Sequence, residues 1–169
     1  MDKTNYEKAI ELIEKNKELL FSAGGVTNDT ILKAEERLGI KFPKDYVDFL
    51  TKFGALSFGG EEIYGITTQD FDNGSVPNAI WYTLQERKEV AIPNNFLVIY
   101  DTGGGELFCM NVDNNYPDNS PIVSFIPGID LSEQSYDEIA EDFGSFLLDR
   151  VNQEIWWLAK MQIKNFKMY

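Results

Sequence analysis

Apolar positions change their period twice along the chain, and each change marks a different kind of element. Up to Phe53 they recur at three- and four-residue intervals. Tyr6, Ala9, Ile10 and Ile13 make one stripe that Leu19, Leu20 and Phe21 close, with Lys8, Glu11, Glu14, Lys15 and Glu18 on the solvated face. This predicts an amphipathic helix ended by Gly24-Gly25. A second helix carries Ile31, Ala34 and Leu38, with Thr27 as N-cap and Gly39 as its stop. A third opens at Phe42-Pro43, with Pro43 in the first helical position, carries Tyr46, Val47, Phe49, Leu50 and Phe53, and stops at Gly54.

From Ala55 onward the apolar residues fall in short runs bounded by Gly, Asn, Asp and Pro. Leu56–Phe58, Glu62–Ile66, Asn95–Asp101, Glu106–Val112 and Pro121–Ile126 read as strands, and Thr102-Gly103-Gly104-Gly105 joins two of them as an antiparallel hairpin. A helix over Val76–Lys88, started by Ser75 and carrying Ile80, Trp81 and Leu84, interrupts the strands. Helical spacing then returns. Ser135 with Glu138 matches a capping box ahead of Ile139, Phe143, Phe146, Leu147 and Val151, and Ile155 to Leu158 prolong the stripe. Helices at both ends of a run of strands predict an α+β domain with helices packed on a mostly antiparallel sheet. The expected organisation is one domain with a core of about residues 5–150 and a helical extension over 151–169, without repeat or linker.

Composition narrows the chemistry. The 169 residues contain no histidine and one cysteine, so a Ser-His-Asp triad, a Cys-His dyad, an imidazole zinc site and an internal disulfide are all impossible. Charge is uneven: residues 61–150 hold 17 acids against 3 bases, whereas residues 151–169 hold 1 acid against 3 bases. A surface of that sign argues against nucleic acid as a direct partner. The N-terminus lacks an apolar signal segment and runs such as Phe96–Tyr100 are too short to span a bilayer, so a cytoplasmic protein is expected, with no membrane partner.

Few residue groups suggest chemistry. Gly103-Gly104-Gly105 lacks phosphate-loop spacing and is flanked by Asp101 and Glu106, which would repel phosphate, so it reads as a turn. Asp113-Asn114-Asn115-Tyr116-Pro117-Asp118-Asn119 has cation-loop residue types without the spacing, and reads as a polar inter-strand loop. Glu61-Glu62 and Glu141-Asp142 are adjacent pairs whose members diverge, so neither is an acid–base pair. In Trp81-Tyr82 and Trp156-Trp157 one member can enter the core while its neighbour tends to the surface, where an aromatic among acids has the character of a binding hot spot. No metal, cofactor or catalytic residue is predicted. The candidate partner-contact residues are Glu61, Glu62, Asp70, Asp72, Trp81, Tyr82, Asp101, Glu106 and Asp113.

The stretch from Ile31 to Gly54, with Ala34-Glu35, Leu38-Gly39-Ile40, Phe42-Pro43, Asp45-Tyr46, Phe49-Leu50 and Phe53-Gly54, is followed by Phe58-Gly59-Gly60-Glu61-Glu62-Ile63-Tyr64-Gly65. That block resembles the SMI/KNR family of the SUKH superfamily, and the likeness extends more loosely through the hairpin at 96–112 to the segment Ile139–Leu147. The group contains fungal cell-wall assembly and glucan-synthesis regulators and many bacterial toxin-immunity proteins. The resemblance implies a non-enzymatic binding protein that neutralises a cognate basic toxin domain, commonly a nuclease. The alternative it implies is a regulatory interaction scaffold without a toxin.

Overall fold

The computed structural model describes residues 2–166 and shows an α+β fold with two antiparallel sheets. Helix α1 (Asn5–Lys15) is opened by a capping box between Thr4 and Glu7. It ends earlier than its periodicity predicts. The Asn16 side chain donates to the Leu12 carbonyl, a single 3₁₀ turn follows, and Leu20–Ser22 becomes strand β1. The apolar run Leu19-Leu20-Phe21 fits a last helical turn or a strand equally well. Pairing of Leu20 with Phe58 decides for the strand.

Helices α2 (Asn28–Leu38) and α3 (Lys44–Phe53) match expectation. Thr27 caps α2, and Gly39 and Gly54 both adopt positive φ. Pro43 is the N-cap of α3, one position before its expected place. The loop at 113–119 supports these helices: Asn114 accepts from the Lys41 amide and donates to the Gly39 carbonyl, and Asp118 accepts from the Lys44 amide, all within 3.0 Å. Its Asx side chains therefore hold backbone ends of α2 and α3.

Strands β2 (Leu56–Phe58) and β3 (Glu61–Ile63) complete a sheet of order β1-β2-β3. Strand β3 is shorter than the predicted 62–66 because the amides beyond it leave the ladder: Tyr64 donates to the Ile99 carbonyl at 2.8 Å and Ile66 to the Gly54 carbonyl. The first of these bonds joins the two sheets. Helix α4 (Ala79–Glu89) begins at Asn78, not Ser75, since Asn78 Oδ1 accepts from the Ile80 and Trp81 amides. Strands β4 (Phe96–Asp101), β5 (Leu107–Asn111), β6 (Ile122–Phe125) and β7 (Glu138–Ala140) form the second sheet in that order.

The capping box at Ser135 and Glu138 does not form. Glu138–Ala140 pairs with β6 instead, and Asp142 opens α5 (Phe143–Phe166) by accepting from the Ser145 amide at 2.7 Å. Residues 167–169 of the expected extension lie outside the described residues. Tyr46, Phe49 and Phe143 meet edge-on and stacked at 5.0–5.6 Å, locking α3 to α5. The buried Tyr46 hydroxyl donates to the Tyr64 carbonyl at 2.9 Å, which fixes the backbone where the two sheets meet.

Candidate partner-binding surface

The junction of β3 and β4 gathers tyrosines and acids from three elements. Adjacent residues of β3 diverge, as period 2 requires. Glu61 turns toward α5 and accepts from the Tyr100 hydroxyl at 2.8 Å, while Glu62 stands on the open face of the sheet, in register with Ser57 and Phe21. Tyr100 stacks on Phe108 at 5.5 Å and lies beneath the Arg150 guanidinium, 5.7 Å from the ring centre. Arg150 also pairs with Asp149 at 2.7 Å.

On the other side of β4, Asp101 lies near Tyr64 and Tyr82, whose rings are 5.9 Å apart, and Glu86 follows Tyr82 by one turn of α4. Burial first, then the charges of Glu86 and Asp101, push the Tyr82 hydroxyl up to about 12. Burial, then Asp101 and Glu62, push Tyr64 up as well, and burial followed by the Glu61 hydrogen bond does so for Tyr100. Glu86 is itself raised by burial, then by Glu89 and Asp101, and its Oε2 is buried without a hydrogen-bond partner. All three tyrosines are thus neutral donors set in a negative field.

The candidate residues separate into four places. Glu61, Glu62, Tyr82 and Asp101 belong to this junction, with Trp81 stacked on Tyr82 at 6.3 Å. Trp81 and Tyr82 are both half-buried, so neither is the core member the doublet predicts. Asp70 and Asp72 lie on the 67–78 loop: Asp70 is held low by hydrogen bonds from Asn73 and Asp72, and Asp72 pairs with Arg37 at 2.5 Å. Glu106 closes the glycine turn, its carbonyl accepting from the Thr102 amide and hydroxyl while Asp101 accepts from the Gly103 amide. Asp113 accepts from the Asn115 amide in the loop that braces α2 and α3.

Sequence reasoning missed Tyr64, Tyr100, Glu86 and Arg150. The i,i+4 spacing of Tyr82 and Glu86 was a legible signal for one of them. It also missed Glu154, a buried carboxylate of α5 that accepts from the Gly60 amide at 3.0 Å and fills the space a Gly59 side chain would need. The second doublet also departs from expectation, since Trp156 and Trp157 are 57% and 54% exposed. They line a groove of about 370 Å³ with Gly60, Glu61, Gln153 and Glu154.

Cys109 is fully buried and its thiol is pushed well up by burial and by Glu86, which removes it as a nucleophile. Among the described residues no three His, Cys, Asp or Glu side chains are placed to hold a metal ion, and no helix is long and apolar enough to cross a membrane. What the arrangement offers is hydrogen-bond donors and acceptors on a negative, aromatic surface, which is the equipment of protein–protein recognition.

The family model SUKH_6, described as SMI1-KNR4 cell-wall, matches residues 28–147. The matched segment runs from the start of α2 into the first turns of α5 and includes all nine candidate residues. Proteins of this group have toxin-immunity or regulatory roles and are generally non-enzymatic. With most of its length matched, the chain belongs to the SMI1-KNR4 cell-wall family of the SUKH group.

Proposed function

We propose that this protein is a cytoplasmic, non-enzymatic immunity protein that binds a cognate basic toxin domain, a nuclease, and blocks it. The observation that carries the reading is the β3–β4 junction, where Glu61, Glu62, Glu86 and Asp101 surround the tyrosines 64, 82 and 100. A nuclease needs a cationic groove for its polyanionic substrate. Glu61, Glu62 and Asp101 present such a groove with the charge of a phosphate backbone, the half-buried Tyr82 and Tyr100 supply aromatic contact area at little entropic cost, and the buried Tyr64 and Glu86 back them from within. Residues 61–150, where this surface lies, carry a net charge of −14. The proposed working unit is the whole chain, a domain of about residues 5–150 with its helical extension.

A second reading is favoured by the family's description as cell-wall: a regulatory scaffold that binds a host protein, with no toxin. The two separate by experiment. The immunity reading requires a toxin domain in a neighbouring reading frame; that domain is purified, and its nuclease activity is measured with increasing amounts of the protein. Stoichiometric loss of activity together with a stable complex is the expected result. Full nuclease activity at saturating protein, with no complex formed, sinks the immunity reading and leaves the scaffold.

A further inference from the structure

Beyond the junction, the far end of α5 shows a second surface of different character. Helix α5 buries Phe143, Phe146, Leu147, Val151 and Glu154 along one side. Turned away from that side, Asp149, Gln153, Trp156, Lys160 and Ile163 follow one another at intervals of four, three, four and three residues, while Trp157, Met161 and Lys164 continue the line of the buried row past Glu154 and border them. All eight are exposed. Lys160 Nζ sits 3.8 Å above the Trp156 ring, so cation and aromatic share one stripe. A repeat of four and three is the interval at which a helix presents a continuous seam to a second helix.

Charge along the seam is ordered. Its N-terminal end carries Asp149, its C-terminal end Lys160 and Lys164, and the two tryptophans lie between them. Asp149 and Lys164 are separated by about 22 Å of helix at 1.5 Å per residue. Reversing such a seam about a two-fold axis at its middle brings the acidic end of one helix against the basic end of the other. An axis passing between Trp156 and Trp157 sets Trp156 opposite Trp157, Gln153 opposite Lys160 and Asp149 opposite Lys164. Antiparallel pairing makes the seam self-complementary, whereas a parallel pairing would set like charge on like charge.

We infer that the exposed α5 seam is an isologous interface with a second copy of this chain, two α5 helices packing antiparallel through Trp156 and Trp157 with Asp149 of each copy paired to Lys164 of the other. An anionic membrane suits the Trp and Lys residues of the seam but not the molecule that carries it, whose net charge of −13 would be repelled from such a surface. A second copy carries the same net charge, and what favours it is local: the charges that face one another across the seam are opposite. Glu154 is the positioning residue: buried against the Gly59-Gly60 turn, it holds α5 to the β2–β3 hairpin directly beneath the tryptophans.

Sedimentation velocity on the full chain tests this at concentrations up to about 100 μM, a range that reveals association in the micromolar class. The wild-type chain is expected to reach twice the monomer mass, and Trp156→Glu with Trp157→Glu to stay monomeric with an unchanged circular-dichroism melt. Lys164→Asp alone should weaken the dimer by about tenfold, since symmetry places the change in two pairs, and Asp149→Lys should do at least as much, its circular-dichroism melt reporting the separate loss of the Asp149–Arg150 pair within each copy. The double variant Asp149→Lys/Lys164→Asp should restore it, which an unrelated mode of association would not do. A wild-type chain that stays monomeric throughout overturns the inference, as does a dimer that survives loss of both tryptophans or a double variant as weak as the singles. Monomers that co-float with vesicles rich in phosphatidylglycerol would assign the seam to a lipid surface instead.

Discussion

Gly39 and Gly54 both stop their helices at positive φ, but Gly39 is left-handed (ψ 27°), Gly54 is not (ψ −67°), and the two differ in crowding, which separates the costs of replacing them. At Gly39 (φ +71°) an added Cβ meets nothing within 4 Å, so Gly39→Ala carries the left-handed backbone penalty alone, about 1–2 kcal/mol. At Gly54 the same atom would fall 2.2 Å from the Gly24 carbonyl oxygen and 2.8 Å from that of Ile66. Gly54→Ala should therefore cost more than about 3 kcal/mol in urea denaturation, because backbone must move as well. Glu86 makes the opposite prediction. Its folded pKa is raised by burial, so ionisation opposes folding above that value and the penalty disappears once pH falls below the ordinary carboxylate range. Glu86→Gln should consequently stabilise the protein near neutrality, and the gain should vanish by about pH 4 in melts taken across pH. Equal gains at both pH values would show that the carboxylate charge is not what burial opposes. The glycines were legible because a stop after each apolar stripe needs positive φ. The burial of Glu86 was not, since nothing local distinguishes it from Glu89.

Elements whose ends are fixed by their own residues were readable, and those fixed from a distance were not. Helices α2 and α3 have their stripes, stops and openings within ten or eleven residues, and they stand where periodicity put them. Strand β1 depends on Phe58 and strand β7 on Val123, partners far along the chain, so the local patterns of a helix end and a capping box were outcompeted. Helix α4 lies between these cases. Asn78 caps it from a fully buried position, accepting two amides and donating to the Thr68 carbonyl at 3.3 Å. Asn78→Ala should cost about 2 kcal/mol or more, at the upper end for N-caps, because it orphans buried groups as well as the helix start. Asp142→Ala, at the more exposed start of α5, should cost about 1 kcal/mol. Chemical denaturation that ranks the two the other way would mean that α4 is not anchored through Asn78. The same distance effect hid the binding surface: Tyr64, Tyr82 and Tyr100 follow one another at intervals of eighteen residues, and the bond from Tyr64 to the Ile99 carbonyl together with the Tyr64–Tyr82 ring contact brings them together.

At the scale of the whole molecule the question is which carboxylates a basic partner would feel. Asp72 is engaged by Arg37, Asp70 by its own turn, and Asp101 by the Gly103 amide, so reversing any of them would disturb local structure along with charge. Glu62 and Glu89 are exposed acids whose charge reaches the tyrosine cluster, through Tyr64 and Glu86 respectively. Glu14 and Glu18, on α1 and the turn after it, are equally exposed and lie outside that cluster. Each pair changes the net charge by the same amount, so long-range attraction that depended on net charge alone would fall equally in both double variants. Docking through the junction predicts otherwise. Glu62→Lys with Glu89→Lys should slow association with the toxin domain by about tenfold and leave most of the dissociation rate intact, whereas Glu14→Lys with Glu18→Lys should do much less. The wild-type on-rate should fall steeply as salt is raised toward physiological strength, where screening acts over about 8 Å. Stopped-flow mixing at several salt concentrations measures both effects. Equal on-rates for the two double variants, with little salt dependence, would remove electrostatic mimicry and leave the half-buried Trp81 and Tyr82 as the contact.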